Sequence, residues 1–414
     1  MLDDTLLDDP AALQRADQDR ALLALAGAGA RVRTALRQAD AAGLDRLRPD
    51  GRPRAVLVAG HGSALTAAEM LAALAGSASL VVPLPPSEAV APRADRAGAP
   101  PAFTSGLGWQ LPGWAGPLDL LVISSADGGE QGLVGLAEQA YARGCAIVVT
   151  APAGSALAEA ALQVRALPLP YVTSVLPEDG PPVAAAEPDL PAEDPAALWS
   201  HLTPLLALAQ KIGLTQLPYD ALAGVADLLD ATAVRCRPDA AAYTNPAKGL
   251  AARLAGTVPL LWAEGPIAGA AADRFAAQLA DRAGRPALAG ELPQVLTAHR
   301  GMFTGQLGAG ADPDDFFRDR VEEPDPLHLQ VLLLRHVPGT AGSTEEQDGP
   351  AEVPEEDAGP RSFGVTRAHR LAAAHDVRLT EYASTRPEAL HALADLVALT
   401  DFAAVYLGLA AAQA

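Results

Sequence analysis

The sequence predicts an α/β protein with two doubly wound parallel-sheet lobes, each a three-layer α/β/α arrangement, joined by a Pro- and acid-rich linker. Three observations predict this fold class. Short apolar runs typical of buried strands alternate with helical patterns in both halves of the chain. A segment rich in proline and acidic residues separates the two halves. The length of 414 residues also exceeds what one ordinary hydrophobic core accommodates.

Composition and charge argue against several classes of protein. Half of the residues are hydrophobic and only 4% are aromatic, which indicates globular cores built from small aliphatic side chains. A net charge of −20 without a basic cluster argues against nucleic-acid binding, because phosphate backbones are bound by clustered Lys and Arg. No apolar run reaches the roughly 20 residues of a membrane span, and the start MLDDTLLDDP lacks the basic region of a signal peptide. We therefore expect a cytoplasmic protein that contacts neither nucleic acid nor membrane.

The first lobe is predicted over residues 1–175, with helices leading into its sheet. Apolar positions recur at helical spacing over 11–40. The elements that follow are strand 54–59, helix 64–75, strands 80–84 and 118–124, helix 130–143 and strand 145–150. Because strands alternate with helices, right-handed crossovers should make the sheet parallel and cover both of its faces.

The second lobe is predicted over residues 196–414, after a linker at 176–195 (PEDGPPVAAAEPDLPAEDPA). Helical patterns come first, and one of these helices is opened by Asn245 as N-cap with Pro246 in its first turn. The elements that follow are strand 258–263, helix 268–283, strands 287–292 and 327–336, helix 366–374, strand 377–382 and a closing helix from about 387. An acidic insert at 339–361 is expected to be disordered.

Two glycine- and serine-containing loops follow predicted strands and precede predicted helices in the first lobe. The first contains Gly60, Gly62 and Ser63. The second contains Ser124, Ser125, Gly128 and Gly129. Backbone amides and hydroxyls at the start of a helix bind anions well, so these residues are candidate phosphate ligands. Each loop alone is equally compatible with a structural turn, and Asp127 and Glu130 in the second loop oppose an anion.

Several stretches, in this order, resemble the sugar isomerase (SIS) domain family of bifunctional phosphoglucose/phosphomannose isomerases. The segment from Asn245 to Pro293, which begins NPAKGLAARLAGTVPLLW and ends GELP, resembles the family's Asn-Pro-Ala-Lys segment, its strand and helix, and its Glu-Leu-Pro turn. In the first lobe, VLVAGHGSAL and VISSADGGEQ lie where the family has its two phosphate loops. LADLVALTDFAAVYLGLAAA resembles the family's closing helix.

The resemblance implies roles for three further residues. Asp281 falls where the family has the glutamate that moves a proton between C1 and C2 of the sugar. His299 lies two residues beyond the position of the ring-opening histidine, which is Thr297 here. Glu291 is a second candidate base. Non-catalytic alternatives are that Asp281 forms a solvated ion pair with Arg282, that Glu291 orients a helix, and that His299 is a surface residue.

Departures from the family pattern leave two functions open. Ala126 and Gly129 replace two hydroxyl-bearing residues of the phosphate loop, and no lysine follows Lys248 where the family uses one near its end. The expected partner is a hexose phosphate, and the expected reaction is isomerisation of glucose 6-phosphate or mannose 6-phosphate to fructose 6-phosphate. We expect neither metal nor cofactor, and a homodimer. The alternative is a catalytically impaired protein that senses a phosphosugar or regulates a partner.

Overall fold

The fold is described from a computed structural model. It describes residues 4–47, 51–89, 106–173, 193–218, 220–304, 328–338, 350–352 and 361–411. The chain divides into two compact units, which we describe separately. The first unit comprises residues 27–227, and the second comprises residues 1–26 together with 228–414.

Helices and strands alternate through both units, as the apolar pattern predicts. Among the described residues, the helices are α1 Asp4–Leu7, α2 Pro10–Ala16, α3 Ala21–Ala26, α4 Ala28–Ala41, α5 Ser63–Ala75, α6 Gln131–Ala142, α7 Ala156–Gln163, α8 Ala197–Lys211, α9 Ala221–Arg235, α10 Pro246–Leu254, α11 Gly265–Ala283, α12 Val295–Ala298, α13 Arg300–Phe303, α14 Phe363–Ala374 and α15 Ala389–Ala411. The strands are β1 Ala55–Ala59, β2 Leu80–Leu84, β3 Glu88–Ala89, β4 Leu107–Gly108, β5 Leu120–Ser124, β6 Ala146–Ala151, β7 Leu167–Pro170, β8 Thr257–Glu264, β9 Leu288–Glu291, β10 His328–His336, β11 Ala351–Glu352 and β12 Arg378–Ser384.

The first unit contains a five-stranded parallel sheet in the order β2-β1-β5-β6-β7. Strands β1 and β5 are buried at every position, because a parallel sheet covered by helices has no solvent-facing side. The chain leaves β1 toward β2 on one side and returns to β5 on the other side. The order therefore reverses between β1 and β5, and their carboxyl ends lie side by side at Ala59 and Ile123. In such sheets, this reversal point is where ligands bind.

The second unit contains a five-stranded sheet in the order β11-β12-β10-β8-β9, which is parallel except for the edge strand β11. One core packs α14 and Trp262, Val295 and Phe303 around β8 and β10. The other face carries α11 and α15, which are joined by a buried ion pair between Arg274 and Asp401. Within the described chain, α15 is the one helix long and apolar enough to span a membrane, and 89% of its apolar window is buried in protein. These observations confirm the predicted α/β class with two parallel sheets.

The division of the chain lies elsewhere than the boundaries at 1–175 and 196–414. Helix α8 packs on α4 and α5 and so belongs to the first unit, whereas α1 to α3 belong to the second unit. Local sequence pattern identifies these helices but does not reveal which core receives their apolar faces. The expected linker lies outside the described residues except for 193–195. Within the insert at 339–361, β11 pairs antiparallel with β12, because the edge of β12 offers a row of backbone partners.

Candidate functional site

The two phosphate-loop candidates lie at the point where the strand order of the first sheet reverses. The first follows β1 and the second follows β5, and these strands are neighbours. Their approach is close at Gly60, where a Cβ atom would lie 2.6 Å from the Ala64 Cβ and 2.8 Å from the Ser124 carbonyl oxygen. Only glycine fits between those two groups. The two loops therefore lie side by side at one edge of the sheet.

Ser63 opens α5 and binds a carboxylate from the far end of the same unit. Its backbone N–H lies 3.0 Å and 3.1 Å from the two carboxylate oxygens of Glu193, and its hydroxyl donates to Glu193 at 2.8 Å. Gly62, the residue before the helix, has a positive φ of 55° and no side chain that could cap the helix. Glu193 therefore satisfies the first orphan donor of α5, in the position expected for an anion.

The hydroxyl of Ser125 organises the second loop around a buried carboxylate. Ser125 Oγ lies 2.8 Å and 2.7 Å from the carboxylate oxygens of Glu130, to which it donates. The same oxygen accepts from the amides of Asp127 and Gly128. Gly128 has a φ of 73°, and a Cβ there would overlap the Ser155 side chain. The loop is therefore held in one shape by bonds among its own residues.

His61 completes this network as its basic group. Its Nε2 lies 3.0 Å from Glu130 Oε1. The hydrogen bond to Glu130 raises the pKa of His61, and the nearby carboxylates of Glu193 and Asp127 raise it further. Burial by itself would raise the pKa of Glu130, but its hydrogen bonds from His61 and Ser125 outweigh burial and lower it. Below the raised pKa of His61, an imidazolium faces the loops, and this charge favours a bound anion.

Ser124 is paired with a histidine that sequence reasoning did not identify. Its hydroxyl lies 2.7 Å from Nδ1 of His201, which is fully buried in α8. The His201 ring also contacts the Tyr171 ring, with centroids 4.8 Å apart. Burial, together with the charge of His61, lowers the pKa of His201 to about 3, so this imidazole is neutral at physiological pH. No local pattern links Ser124 to His201, because they lie 77 residues apart.

The three serine hydroxyls of the two loops thus already have protein partners. Ser63 binds Glu193, Ser124 binds His201, and Ser125 binds Glu130. Gly129 is hemmed in by Asp127, whose carboxylate would lie 2.8 Å from a Cβ at that position. A sugar phosphate that accepts hydrogen bonds from these hydroxyls has to displace one of these partners. Glu193 is the most accessible of them, because Glu130 and His201 are buried.

The second unit separates its two candidate carboxylates. Asp281 lies in the last turn of α11, its side chain is 49% exposed, and it forms an ion pair with Arg282 at 3.0 Å. Glu291 ends β9, and its carboxylate would lie 2.5 Å from a Cβ at Gly269, near the start of α11. Gly269 and Asp281 lie on one helix with a rise of 1.5 Å per residue, so roughly 18 Å of helix separates the two carboxylates. Asp281 and Glu291 are therefore alternative candidate bases and do not form a carboxylate pair.

His299 is buried and is therefore not the surface residue of the non-catalytic alternative. It follows α12, and its Nδ1 accepts a hydrogen bond of 3.1 Å from Nε1 of the fully buried Trp262. Because the indole nitrogen is only a donor, the neutral His299 ring carries its proton on Nε2. Burial lowers the pKa of His299. This histidine can therefore donate one hydrogen bond through Nε2 without carrying a charge.

The Asn-Pro-Ala-Lys segment has a structural role in the second unit. The Asn245 side chain accepts from the amides of Ala247 and Lys248 and so caps α10. The ammonium group of Lys248 is buried and donates three hydrogen bonds, of 2.6 to 2.8 Å, to the carbonyl oxygens of Leu7, Pro238 and Ala240. All three of its protons are used. Lys248 therefore joins α10 to the start of the chain.

Comparison with known proteins identifies relatives of this fold. Residues 243–336 match the family described as the bacterial phospho-glucose isomerase C-terminal SIS domain. No curated protein matches the chain in sequence.

Three solved structures have the same fold over most of the chain. A hypothetical protein from Thermus thermophilus has a TM-score of 0.58 at 14% identity, over 98% of this chain and 89% of that one. A candidate phosphosugar isomerase from Clostridium difficile has a TM-score of 0.54 at 12% identity, over 94% and 91%. The C-terminal domain of glucosamine-fructose-6-phosphate aminotransferase from Francisella tularensis has a TM-score of 0.52 at 8% identity, over 95% and 96%. These identities show a shared fold, and the match over residues 243–336 confirms that this chain is similar to the SIS-domain phosphoglucose isomerase family.

Proposed function

We propose that this protein binds hexose phosphates at the carboxyl edge of the first sheet. The observation that carries the proposal is the carboxylate of Glu193 on the amide and hydroxyl of Ser63. The same donors suit a phosphate oxygen, because the first amides of a helix lack intrahelical partners and favour negative charge. Below its raised pKa, the His61 imidazole adds a positive charge near the Glu193 carboxylate. The resemblance to SIS isomerases supplies the ligand class.

We further propose that the bound sugar is isomerised between aldose and ketose forms in a cytoplasmic homodimer. Glucose 6-phosphate or mannose 6-phosphate would open its ring, lose the C2 proton to a carboxylate and pass through a cis-enediol. Return of the proton to C1 would give fructose 6-phosphate, without metal or cofactor. Asp281 or Glu291 is the candidate base, and His299 is the candidate donor to the ring oxygen. As a neutral imidazole, His299 would act as a hydrogen-bond donor through Nε2.

A second candidate function is a phosphosugar sensor without turnover. The occupied state of Ser63, Ser124 and Ser125 favours it, because a ligand has to compete with partners already in place. The exposed side chain of Asp281, which is ion-paired with Arg282, favours it too, because such a carboxylate is screened by water. The two functions share the ligand and differ only in catalysis.

One set of measurements tests both functions. Thermal unfolding of the full chain is followed with glucose 6-phosphate, mannose 6-phosphate and fructose 6-phosphate, and turnover is assayed in parallel. We expect stabilisation by at least one ester in the wild type and its loss in Ser63→Ala. Turnover that falls in Asp281→Asn, Glu291→Gln or His299→Gln supports the isomerase, whereas stabilisation without turnover supports the sensor. The absence of a shift with all three esters refutes hexose phosphate binding.

A further inference from the structure

We propose that Glu193 is the specificity-determining residue of the first-unit site, a tethered carboxylate that a ligand displaces in order to bind. This inference rests on the proposed function and states which ligand charge the site selects. A phosphate dianion can displace the Glu193 carboxylate, whereas a sugar carboxylate cannot. Glu193 would thereby select phosphate esters over sugar acids at the start of α5.

The contact occupies the donors that an incoming anion needs. In the first turn of α5, the amides of Ala64 and Leu65 donate to backbone carbonyls of the preceding loop. The amide and hydroxyl of Ser63 instead point to Glu193, and Ser63 is itself almost fully buried. The absence of a side chain at Gly62 leaves room for the carboxylate, since a Cβ there would lie 3.0 Å from a Glu193 carboxylate oxygen. A phosphate oxygen and Glu193 therefore cannot use Ser63 at the same time.

The residue next to Glu193 fixes it beside the loop. The carboxylate of Asp194 accepts from the guanidinium of Arg31, which is buried in α4, and also from the amide of Ala196. This anchor fixes the residue adjacent to Glu193 and so keeps Glu193 tethered beside Ser63. A tethered group competes at an effective concentration set by its tether, which reaches millimolar values for short connections. A free carboxylate ligand of equal charge offers no advantage over it.

Electrostatics distinguish the two kinds of ligand. His61 already faces the carboxylates of Glu130, Asp127 and Glu193. Release of Glu193 removes one negative charge, which a phosphate dianion replaces with two charges and more acceptor oxygens. A sugar acid replaces it with one charge only and still has to displace the tethered group. Hydrogen bonds to charged groups each change an equilibrium by roughly tenfold to a hundredfold, which sets the size of the expected effect.

The test compares ligand affinities in matched variants of the full chain. Isothermal titration with glucose 6-phosphate, inorganic phosphate and glucuronate is carried out on the wild type, Glu193→Gln and Glu138→Gln. Glu138 is an exposed residue of α6, so its variant has the same change of charge away from the site. We expect Glu193→Gln to bind glucose 6-phosphate roughly tenfold to a hundredfold more tightly than the wild type and to acquire glucuronate binding. Glu138→Gln should match the wild type.

The outcomes separate this inference from the proposed function. If the wild type binds glucose 6-phosphate and Glu193→Gln binds it no more tightly, the competitor role is refuted and hexose phosphate binding stands. If neither protein binds the ester or inorganic phosphate, both proposals are refuted. A second variant, Asp194→Asn, loosens the anchor and leaves every donor of Ser63 intact. It should shift the affinity in the same direction, and an unchanged affinity in both variants also refutes the role.

Discussion

Burial of His201 in the first unit predicts a loss of stability in mild acid. The ring is fully buried, and its pKa falls from 6.5 to about 3 because burial opposes its charge. A group with a lowered folded pKa stays neutral in the folded chain while the unfolded chain takes up a proton. The stability that this histidine contributes is therefore fully present above pH 6.5. It is lost as the pH falls from 6.5 toward 3.

The size of the loss can be worked out at pH 5. Each pH unit below the ordinary value of 6.5 lowers the free energy of unfolding by about 1.4 kcal/mol while the folded ring stays neutral. Between pH 7 and pH 5, the expected loss is about 2 kcal/mol. This figure does not depend on the exact folded pKa, provided that it lies well below 5. Other groups titrate in this range, and His61, with its raised pKa, opposes the loss.

A matched variant isolates the contribution of His201. Urea unfolding is followed at pH 7 and pH 5 in the wild type and in His201→Gln by tryptophan fluorescence, since Trp109, Trp114 and Trp199 belong to the first unit. Loss of the Ser124 hydrogen bond and the Tyr171 contact destabilises the variant at both pH values, so it cancels in the difference. We expect the wild type to lose about 2 kcal/mol more than His201→Gln.

The control replaces a histidine with an exposed ring, His328, by glutamine, and it should keep the pH dependence of the wild type. Equal losses in the wild type and in His201→Gln would refute the reasoning.

Two further predictions concern the loop at the strand reversal and the buried lysine. Gly60→Ala should lower the free energy of unfolding by about 1 to 3 kcal/mol, because the added Cβ would collide with Ala64 and the Ser124 carbonyl oxygen. Gly135→Ala, with open space around its Cβ on α6, should stabilise the protein. Urea unfolding of both variants checks this, and equal effects would contradict it. Lys248→Met should lower the free energy of unfolding by about 3 kcal/mol or more, because three carbonyl oxygens lose their donor. Lys211→Met, which removes a donor from one solvent-accessible carbonyl, is the comparison in the same assay. A loss below about 1 kcal/mol for Lys248→Met would show that its three hydrogen bonds are dispensable for stability.

Local pattern was sufficient to predict four of the five strands of the first sheet and the two loops that follow β1 and β5, whereas β7 was not predicted. The apolar runs at β1 and β5 are buried on both faces, as a parallel sheet requires, and each run is followed by glycine and serine. Because carboxyl ends of parallel strands share one edge, the fold class places both loops at the same edge of the sheet, and the strand order brings Gly60 against Ser124. Helix α10 likewise begins at its predicted cap, Asn245.

The hydrogen-bond partners of these loop residues could not be predicted from the sequence. Ser63 and Glu193 are 130 residues apart, and Ser124 and His201 are 77 apart. Lys248 and Leu7 are 241 apart. No periodicity or local motif connects such residues, since only the packing of complete helices brings them together.

What the sequence by itself determined is therefore the fold class, most of the strand and helix pattern and the existence of two candidate anion loops. Only the tertiary structure decided that Glu193 occupies the anion position at Ser63, that His201 is buried and that Asp281 and Glu291 lie at opposite ends of α11. The physical reason is the range of the interactions involved. Backbone propensity and amphipathic spacing act within a few residues, whereas hydrogen bonding and burial at the site depend on groups from distant parts of the chain.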